Sequence, residues 1–334
     1  MKTRCLLFSG INEVTLGFTE LRPIGPNEVL IETEISCVSP GTELRCLAGQ
    51  EISLGDHNFP FIPGYAAVGR VIETDFASRD LLGRRVFSSG NRGTASHRTA
   101  WGGHAAQIVA PADSVVIIPN SISSRDAALL KLAAIAYRGT RLAPASPGSS
   151  VLIIGLGPIG QLSARFYAAA GAQVVAVDVM PDRVAIAREA EIDAHLAPND
   201  LTATIREKLP NGAAIVVDAT GIPALLATSA ALVTEKSWDD SSSPAGRLVV
   251  QGSYGSLVPL PPDICFAREL SVLWPRDCQR SDLEQVRQLL EAKRISFRGL
   301  LDKTRPVSEA SAIYQALREK TLGALTAGFS WTTN

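Results

Sequence analysis

Gly155, Gly157 and Gly160, spaced as Gly-Leu-Gly-Pro-Ile-Gly, form the stretch whose residue types most directly imply chemistry. Each glycine answers a separate steric demand. The first permits a tight turn, the second lets a pyrophosphate approach the backbone, and the third lets helix and strand pack closely. Pro158 and Ile159 lie inside the turn. A helix opening there offers free N–H groups and a positive dipole end to phosphates. Asp178 closes the next apolar run, where an acid accepts hydrogen bonds from the adenosine ribose and repels a 2′-phosphate. Dinucleotide binding is therefore expected, with NAD favoured over NADP. Val179 belongs to the same pocket, and Arg183 tempers the preference for NAD. The alternative is an ordinary strand–helix turn with an incidental acid.

Those residues act only if strands and helices hold them. Val151–Ile154 and Ala172–Asp178 are apolar, largely β-branched runs, and Gln161–Ala170 between them is helix-compatible. The alternation continues with a helix at Asp182–Glu191, a strand at Ile215–Asp218, a helix at Pro223–Val233 and a strand at Arg247–Gln251. This predicts an α/β fold with a doubly wound parallel sheet and right-handed crossovers. Ligands of such sheets lie at the carboxyl ends of the strands. Ala219 and Thr220 follow one strand there, and Gly252, Ser253 and Tyr254 follow another, so contacts with the nicotinamide are expected.

Residues 1 to about 120 have a different rhythm. Short apolar segments at Val14–Glu20, Glu28–Ile35, Ala67–Glu73, Gly83–Val86 and Ala105–Ile118 are separated by Pro, Gly, Asn and Asp. They predict an antiparallel, partly barrel-like domain. Ser88–Trp101 reads as a loop, either at a pocket mouth or on the open surface. Asp126–Leu142 and Leu283–Ala292 read as helices, and Glu235–Ala245 as a solvated loop. Lys303–Lys320 reads as an extended piece and a helix, and Ala324–Trp331 as a last strand.

A chain of 334 residues favours two domains over one core. Its 46% hydrophobic and 19% charged content describes a globular protein with ample core. A net charge of −1 gives no electrostatic reason to expect nucleic acid or an acidic membrane as partner. No apolar run approaches the roughly 20 residues of a spanning helix, and nothing near Met1 resembles a signal peptide. Cys5, Cys37, Cys46, Cys265 and Cys278 are odd in number and lack a Cys-x-x-Cys pair. Buried free thiols in a reducing cytoplasm are expected.

The order of these parts resembles the medium-chain dehydrogenase/reductase (MDR) superfamily across essentially the whole chain. The likeness rests on Gly41-Thr42-Glu43, Phe61-Ile-Pro-Gly-Tyr65 with Gly69, Trp101-Gly-Gly103, the glycine turn, Asp178 and Val217-Asp-Ala-Thr-Gly221. It implies a GroES-like catalytic domain over residues 1–122, a Rossmann domain over 123–290 and a C-terminal return over 291–334. It also implies a homodimer acting on a small-molecule substrate. Zinc-dependent members usually carry Cys before a Gly/His-Thr-Asp pattern, and Pro-Gly-His-Glu further on. Here Pro40 precedes Gly41, and Tyr65-Ala66 follows Pro63-Gly64. The third ligand position falls near Leu132. A catalytic zinc needs three donors, so no metal is expected; the alternative is a shifted site using Cys37, His57 or Glu43. Within the zinc-free branch the motif layout is most similar to bacteriochlorophyllide dehydrogenases, through Gly-Thr-Glu, Pro-Gly-Tyr and Leu132–Tyr137.

Without a metal, hydroxyls must handle the proton when a hydride passes between a secondary alcohol and nicotinamide. The resemblance places Thr42 where the family keeps a relay hydroxyl, and Tyr65 where it keeps a zinc ligand. Tyr65 is thus a candidate donor to the substrate oxygen. The bland alternatives are that Thr42 bonds its own turn and that Tyr65 fills the vacated site. Glu43 matches an acid that orients a donor or pairs with an Arg, or that is purely structural. Lys131 is a candidate for contacting ligand or acidifying a phenol, set against plain solvation at a helix start. His57, in a loop before Pro60, is a candidate pocket residue, whereas His104 reads as packing. The expected activity is zinc-independent, NAD(H)-dependent oxidoreduction of a secondary alcohol or ketone, such as a sugar, polyol or ring hydroxyl. The rivals are an NAD(P)H-dependent enoyl or quinone reductase and a non-catalytic dinucleotide-binding protein.

Overall fold

Apolar strands alternating with helices favour parallel pairing, and the computed structural model shows that outcome. It describes residues 1–51, 58–197, 201–239, 245–254, 259–301 and 303–331. Strand Ser150–Ile154 lies between Gln173–Asp178 on one side and Ile215–Asp218 on the other, all parallel. Asp193–Leu196 extends the sheet beyond the first neighbour, and Arg247–Val250 with Ser271–Leu273 extends it beyond the second. Strand order therefore reverses at Ser150–Ile154, the switch point where ligands bind in such sheets. The strands are apolar throughout because helices cover both faces. Val151, Ile153 and Val217 pack with Ala164 and Tyr167, while Leu152, Ile154 and Val216 pack with Ile205 and Leu226.

The N-terminal strands are mostly antiparallel, as their alternation requires. Lys2–Gly10 pairs with Glu13–Glu20, and the same sheet includes Phe61–Ile62 and Arg98–Thr99. Glu28–Cys37 pairs with Ala67–Thr74, Gln107–Pro111 and Gly328–Ser330. The last of these is the expected return of the C-terminal segment. Helix Ala310–Glu319 buries Ile313, Tyr314 and Leu317 against Leu6, Phe8 and Phe329. Contacts divide the chain into two units: residues 1–131, 283–291 and 299–334, and residues 132–282 with 292–298. The first unit thus runs past the expected boundary at 122/123 and takes in part of the helix before 291.

Several elements have no strong sequence signal: strands Lys2–Gly10, Asp193–Leu196 and Ser271–Leu273, and helices Pro40–Leu47, Leu201–Lys208 and Pro262–Ala267. The single helix expected at Asp126–Leu142 is two, Ser124–Ala128 and Leu130–Leu142. Ala105–Ile118 is likewise divided, by a 3₁₀ turn at Ala112–Ser114. Ser88–Trp101 is held by the buried Asn91, which accepts from the Gly93 and Val109 N–H groups at 2.9 and 3.2 Å. All five cysteines are free, and Cys5, Cys37 and Cys46 are buried. Among the described residues no helix is long and apolar enough to cross a membrane.

Candidate active site

Helix Pro158–Ala169 opens directly from the glycine turn, with Gly157 as N-cap and Pro158 in the first turn. Gly155 has φ +90°, a backbone region that L side chains rarely adopt. A Cβ on Gly160 would lie 1.8 Å from the Gly155 carbonyl oxygen, so helix and turn touch there. At Gly157 a Cβ would meet nothing within 4 Å. Packing therefore explains Gly155 and Gly160 but not Gly157, whose open side suits the close approach of a pyrophosphate.

The strands around this turn end level with one another. Ile154 aligns with Val177 and with Asp218, and Asp218 aligns with Val250. Asp178 is buried, and its Oδ2 accepts the Leu156 N–H at 2.6 Å while its Oδ1 accepts the Met180 N–H at 2.8 Å. The acid therefore ties the glycine turn to the neighbouring strand end. Arg183 donates to the same Oδ2 at 3.3 Å, and its side chain is 35% exposed. Val179 beside it is exposed. A carboxylate oxygen accepts about two hydrogen bonds, so Oδ1 keeps capacity for a ribose hydroxyl.

Asp218 organises the next strand end. It accepts the Thr220 N–H and O–H at 2.9 and 2.7 Å, the Ser229 hydroxyl at 2.7 Å and the Tyr254 hydroxyl at 2.5 Å. Burial, with Asp218 adding to it, pushes the Tyr254 phenol up, so it acts as a fixed donor. A Cβ on Gly252 would lie 2.4 Å from the Gly221 nitrogen, and one on Gly155 would lie 3.1 Å from the Ala219 carbonyl carbon. Ala219, Thr220, Gly252 and Tyr254 are thus packed into one rim with the glycine turn, while Ser253 is exposed.

In the first unit, Gly41-Thr42-Glu43 falls in the opening turn of helix Pro40–Leu47. Glu43 is fully buried. It accepts the Ser39 N–H at 2.8 Å, the His104 Nε2–H at 2.9 Å and the Tyr314 hydroxyl. Behind it, His104 Nδ1 lies 2.7 Å from Ser36 Oγ, which accepts the Trp331 indole N–H at 2.8 Å. The hydrogen-bond pattern assigns one tautomer: a carboxylate only accepts, so His104 carries its proton on Nε2 and Ser36 donates to Nδ1. Burial, with Glu43 adding to it, drives the Tyr314 phenol well up. Burial also pushes the Cys37 thiol up to about 12.

Beside that network stands Tyr65. Its phenol donates to the Ser39 hydroxyl and lies 3.1 Å from Thr42 Oγ1. Trp101 meets the ring edge-on at 4.9 Å between centroids, and Lys131 Nζ sits 6.0 Å from the ring centroid. Lys131 is only 7% exposed, so it is not a solvated surface lysine.

Of the expected residues, Thr42 and Lys131 come together at Tyr65, joined there by Ser39, which no motif singles out. Glu43 faces inward to His104 and Tyr314, where an Arg partner is one expectation. His104 is a hydrogen-bonded member of the network as well as an edge-on neighbour of Phe329, at 5.5 Å. His57 lies outside the described residues.

The side chains at the three positions where zinc-dependent members keep ligands do not fit a catalytic zinc. Pro40 has no side-chain donor, the Tyr65 phenol is already bonded to hydroxyls, and Leu132 is a buried alkyl group. Among the described residues no three of His, Cys, Asp or Glu group so as to hold a metal.

Residues 158–292 match the zinc-binding dehydrogenase family. The whole chain is 28% identical over 323 residues to 2-desacetyl-2-hydroxyethyl bacteriochlorophyllide A dehydrogenase of Rhodobacter capsulatus, covering 96% of this chain and 95% of the relative. The chain is similar along its length to proteins of the MDR superfamily, and the relatives it matches are named as dehydrogenases. Solved structures share its fold at low identity. A short chain alcohol dehydrogenase of Escherichia coli CFT073 in complex with NADH has a TM-score of 0.84 at 17% identity, covering 98% of this chain and 99% of that one. A putative zinc-binding dehydrogenase of Sinorhizobium meliloti bound to NADP has a TM-score of 0.82 at 19% identity, covering 99% of each.

Proposed function

We propose that this protein transfers a hydride between NAD(H) and a secondary alcohol or ketone without zinc, with Tyr65 and Thr42 handling the proton. The observation that supports it most is at Tyr65. A phenol bonded to two hydroxyls, with a lysine over its ring, stands where zinc-dependent members keep a metal ligand. Bound NAD(H) would accept or supply the hydride. Gly155, Gly157 and Gly160, with the helix start at Pro158 and Ile159, would hold its pyrophosphate. Asp178 with Val179 would take the adenosine ribose, and Ala219, Thr220, Gly252, Ser253 and Tyr254 would line the nicotinamide end. Asp178 favours NAD over NADP, although Arg183 beside it neutralises part of the charge.

The protein groups then divide the work on the proton. Tyr65 donates to, or accepts from, the substrate oxygen. Thr42 passes that proton onward, and the charge of Lys131 favours negative charge on the phenol oxygen as it deprotonates. Glu43 and His104 hold the Ser39 end of helix Pro40–Leu47 in place. The Rhodobacter relative is named as a dehydrogenase of a hydroxyethyl compound, in accord with alcohol chemistry. A sugar, polyol or ring hydroxyl is the proposed substrate class, and a cytoplasmic homodimer the proposed form.

The test is a screen of secondary alcohols, polyols and sugars with NAD, run beside enones and quinones with NADH. Turnover of an alcohol is expected. Turnover of enones or quinones alone would install the reductase reading, and tight nucleotide binding with no turnover would install the non-catalytic one.

A further inference from the structure

Ser39 is the N-cap of helix Pro40–Leu47, with extended backbone, yet its side chain makes no capping hydrogen bond. Serine is favoured at an N-cap because its hydroxyl accepts from N–H groups of the first turn. Here the hydroxyl turns the other way and accepts the Tyr65 phenol proton. Glu43 keeps the reciprocal half of a capping arrangement, reaching back to the Ser39 N–H at 2.8 Å. The helix thus forgoes its usual cap so that a hydroxyl can meet Tyr65. Local preferences are broken in this way at functional sites.

Proton counting extends the point. Among the described residues, Ser39, Tyr65 and Thr42 bring three hydroxyl protons to two hydrogen bonds with one another. Among the described residues, the Ser39 hydroxyl has no acceptor for its own proton. While Tyr65 is neutral, Ser39 receives; once Tyr65 has lost its proton, a rotation about the Ser39 C–O bond turns that spare O–H onto the phenolate. Thr42 can do the same from the other side, and no heavy atom has to move.

We infer that Ser39 is a positioning residue for Tyr65, fixing the phenol before proton transfer and stabilising the phenolate after it. This rests on the reading of Tyr65 as proton donor. In ketone reduction the carbonyl carbon gains the hydride of NADH and the carbonyl oxygen gains the Tyr65 proton. The C=O double bond becomes C–O–H, NAD⁺ is left, and water later returns a proton to the phenolate. A hydrogen bond to the charged form favours that form. The charged groups around Tyr65 act in both directions. Lys131 Nζ, 6.0 Å from the ring centroid, favours the phenolate. Glu43, held by His104 and Tyr314 behind Ser39, opposes it.

The test is an ultraviolet titration of the tyrosine phenolate, with the Tyr65→Phe protein subtracted so that only Tyr65 is read. Ser39→Gly and Ser39→Ala remove the hydroxyl without removing a capping hydrogen bond, since the side chain makes none, and Ser39→Thr restores the hydroxyl. In the Gly and Ala variants the Tyr65 midpoint is expected to rise by about one pH unit. Ser39→Thr should return it close to wild type. With an alcohol substrate and NAD, kcat should fall about tenfold in the Gly variant while KM stays nearly constant, since the lost interaction is made with the charged form. A midpoint unmoved in folded Ser39→Gly overturns the inference. A shifted midpoint in a protein that turns over no alcohol or ketone would support Ser39 and refute the proposed activity instead.

Discussion

Tyr65 meets two hydroxyls, the edge of Trp101 and the Lys131 ammonium. Removing its hydroxyl should therefore damage proton transfer and little else. Tyr65→Phe is expected to lower kcat by ~100-fold or more, within the usual range for general acid–base groups, and to leave NADH affinity unchanged. Thr42→Val should slow turnover by roughly tenfold. Steady-state kinetics with direct NADH titration checks both. Asp178→Asn, retaining an acceptor for the Leu156 N–H, should raise the NADH dissociation constant about tenfold and narrow the gap to NADPH. Equal affinities for both nucleotides in the unsubstituted protein would count against Asp178 as the selector. Thr42 and Tyr65 are legible in the sequence because each sits inside a short motif. Ser36, His104, Tyr314 and Trp331 are not, because their contacts span the chain: Tyr314 reaches Glu43 across 271 positions, and Trp331 reaches Ser36 across 295. No local pattern encodes a pairing of that length.

Two glycines of one turn serve different ends, and substitution separates them. Gly160→Ala puts a Cβ against the Gly155 carbonyl oxygen and should destabilise the fold by roughly 3 kcal/mol. Gly157→Ala meets open space, so stability should stay within about 1 kcal/mol, while NADH affinity falls at least about tenfold. Thermal melts and nucleotide titration on the two variants test this; a Gly157→Ala protein that binds NADH normally would remove the pyrophosphate from this turn. The turn and its flanking strands are legible because strand, glycines, helix and acid are contiguous. Helix Pro40–Leu47 is not, since Pro40 and Gly41 argue against a helix although proline is tolerated in a first turn. Strand Ser271–Leu273 is too short for a period to emerge.

Across the whole molecule the cysteines report on packing without touching the proposed chemistry. Burial pushes Cys5 and Cys37 up to about 12, and Cys46 is pushed up as well. A thiol reacts as its thiolate, so those three should resist a thiol reagent near neutral pH. Cys265 and Cys278 are half-buried and should react in the folded protein, and all five should react after unfolding. Fast reaction of more than two thiols in the native state would contradict the packing of the first unit.

The most direct measurement of the central claim is alcohol oxidation by protein dialysed against a strong zinc chelator, with bound zinc quantified on the same sample. The expected result is an undiminished rate at far less than one zinc per chain. A rate that disappears on chelation and returns on adding zinc would contradict a mechanism run by Tyr65, Thr42 and Ser39.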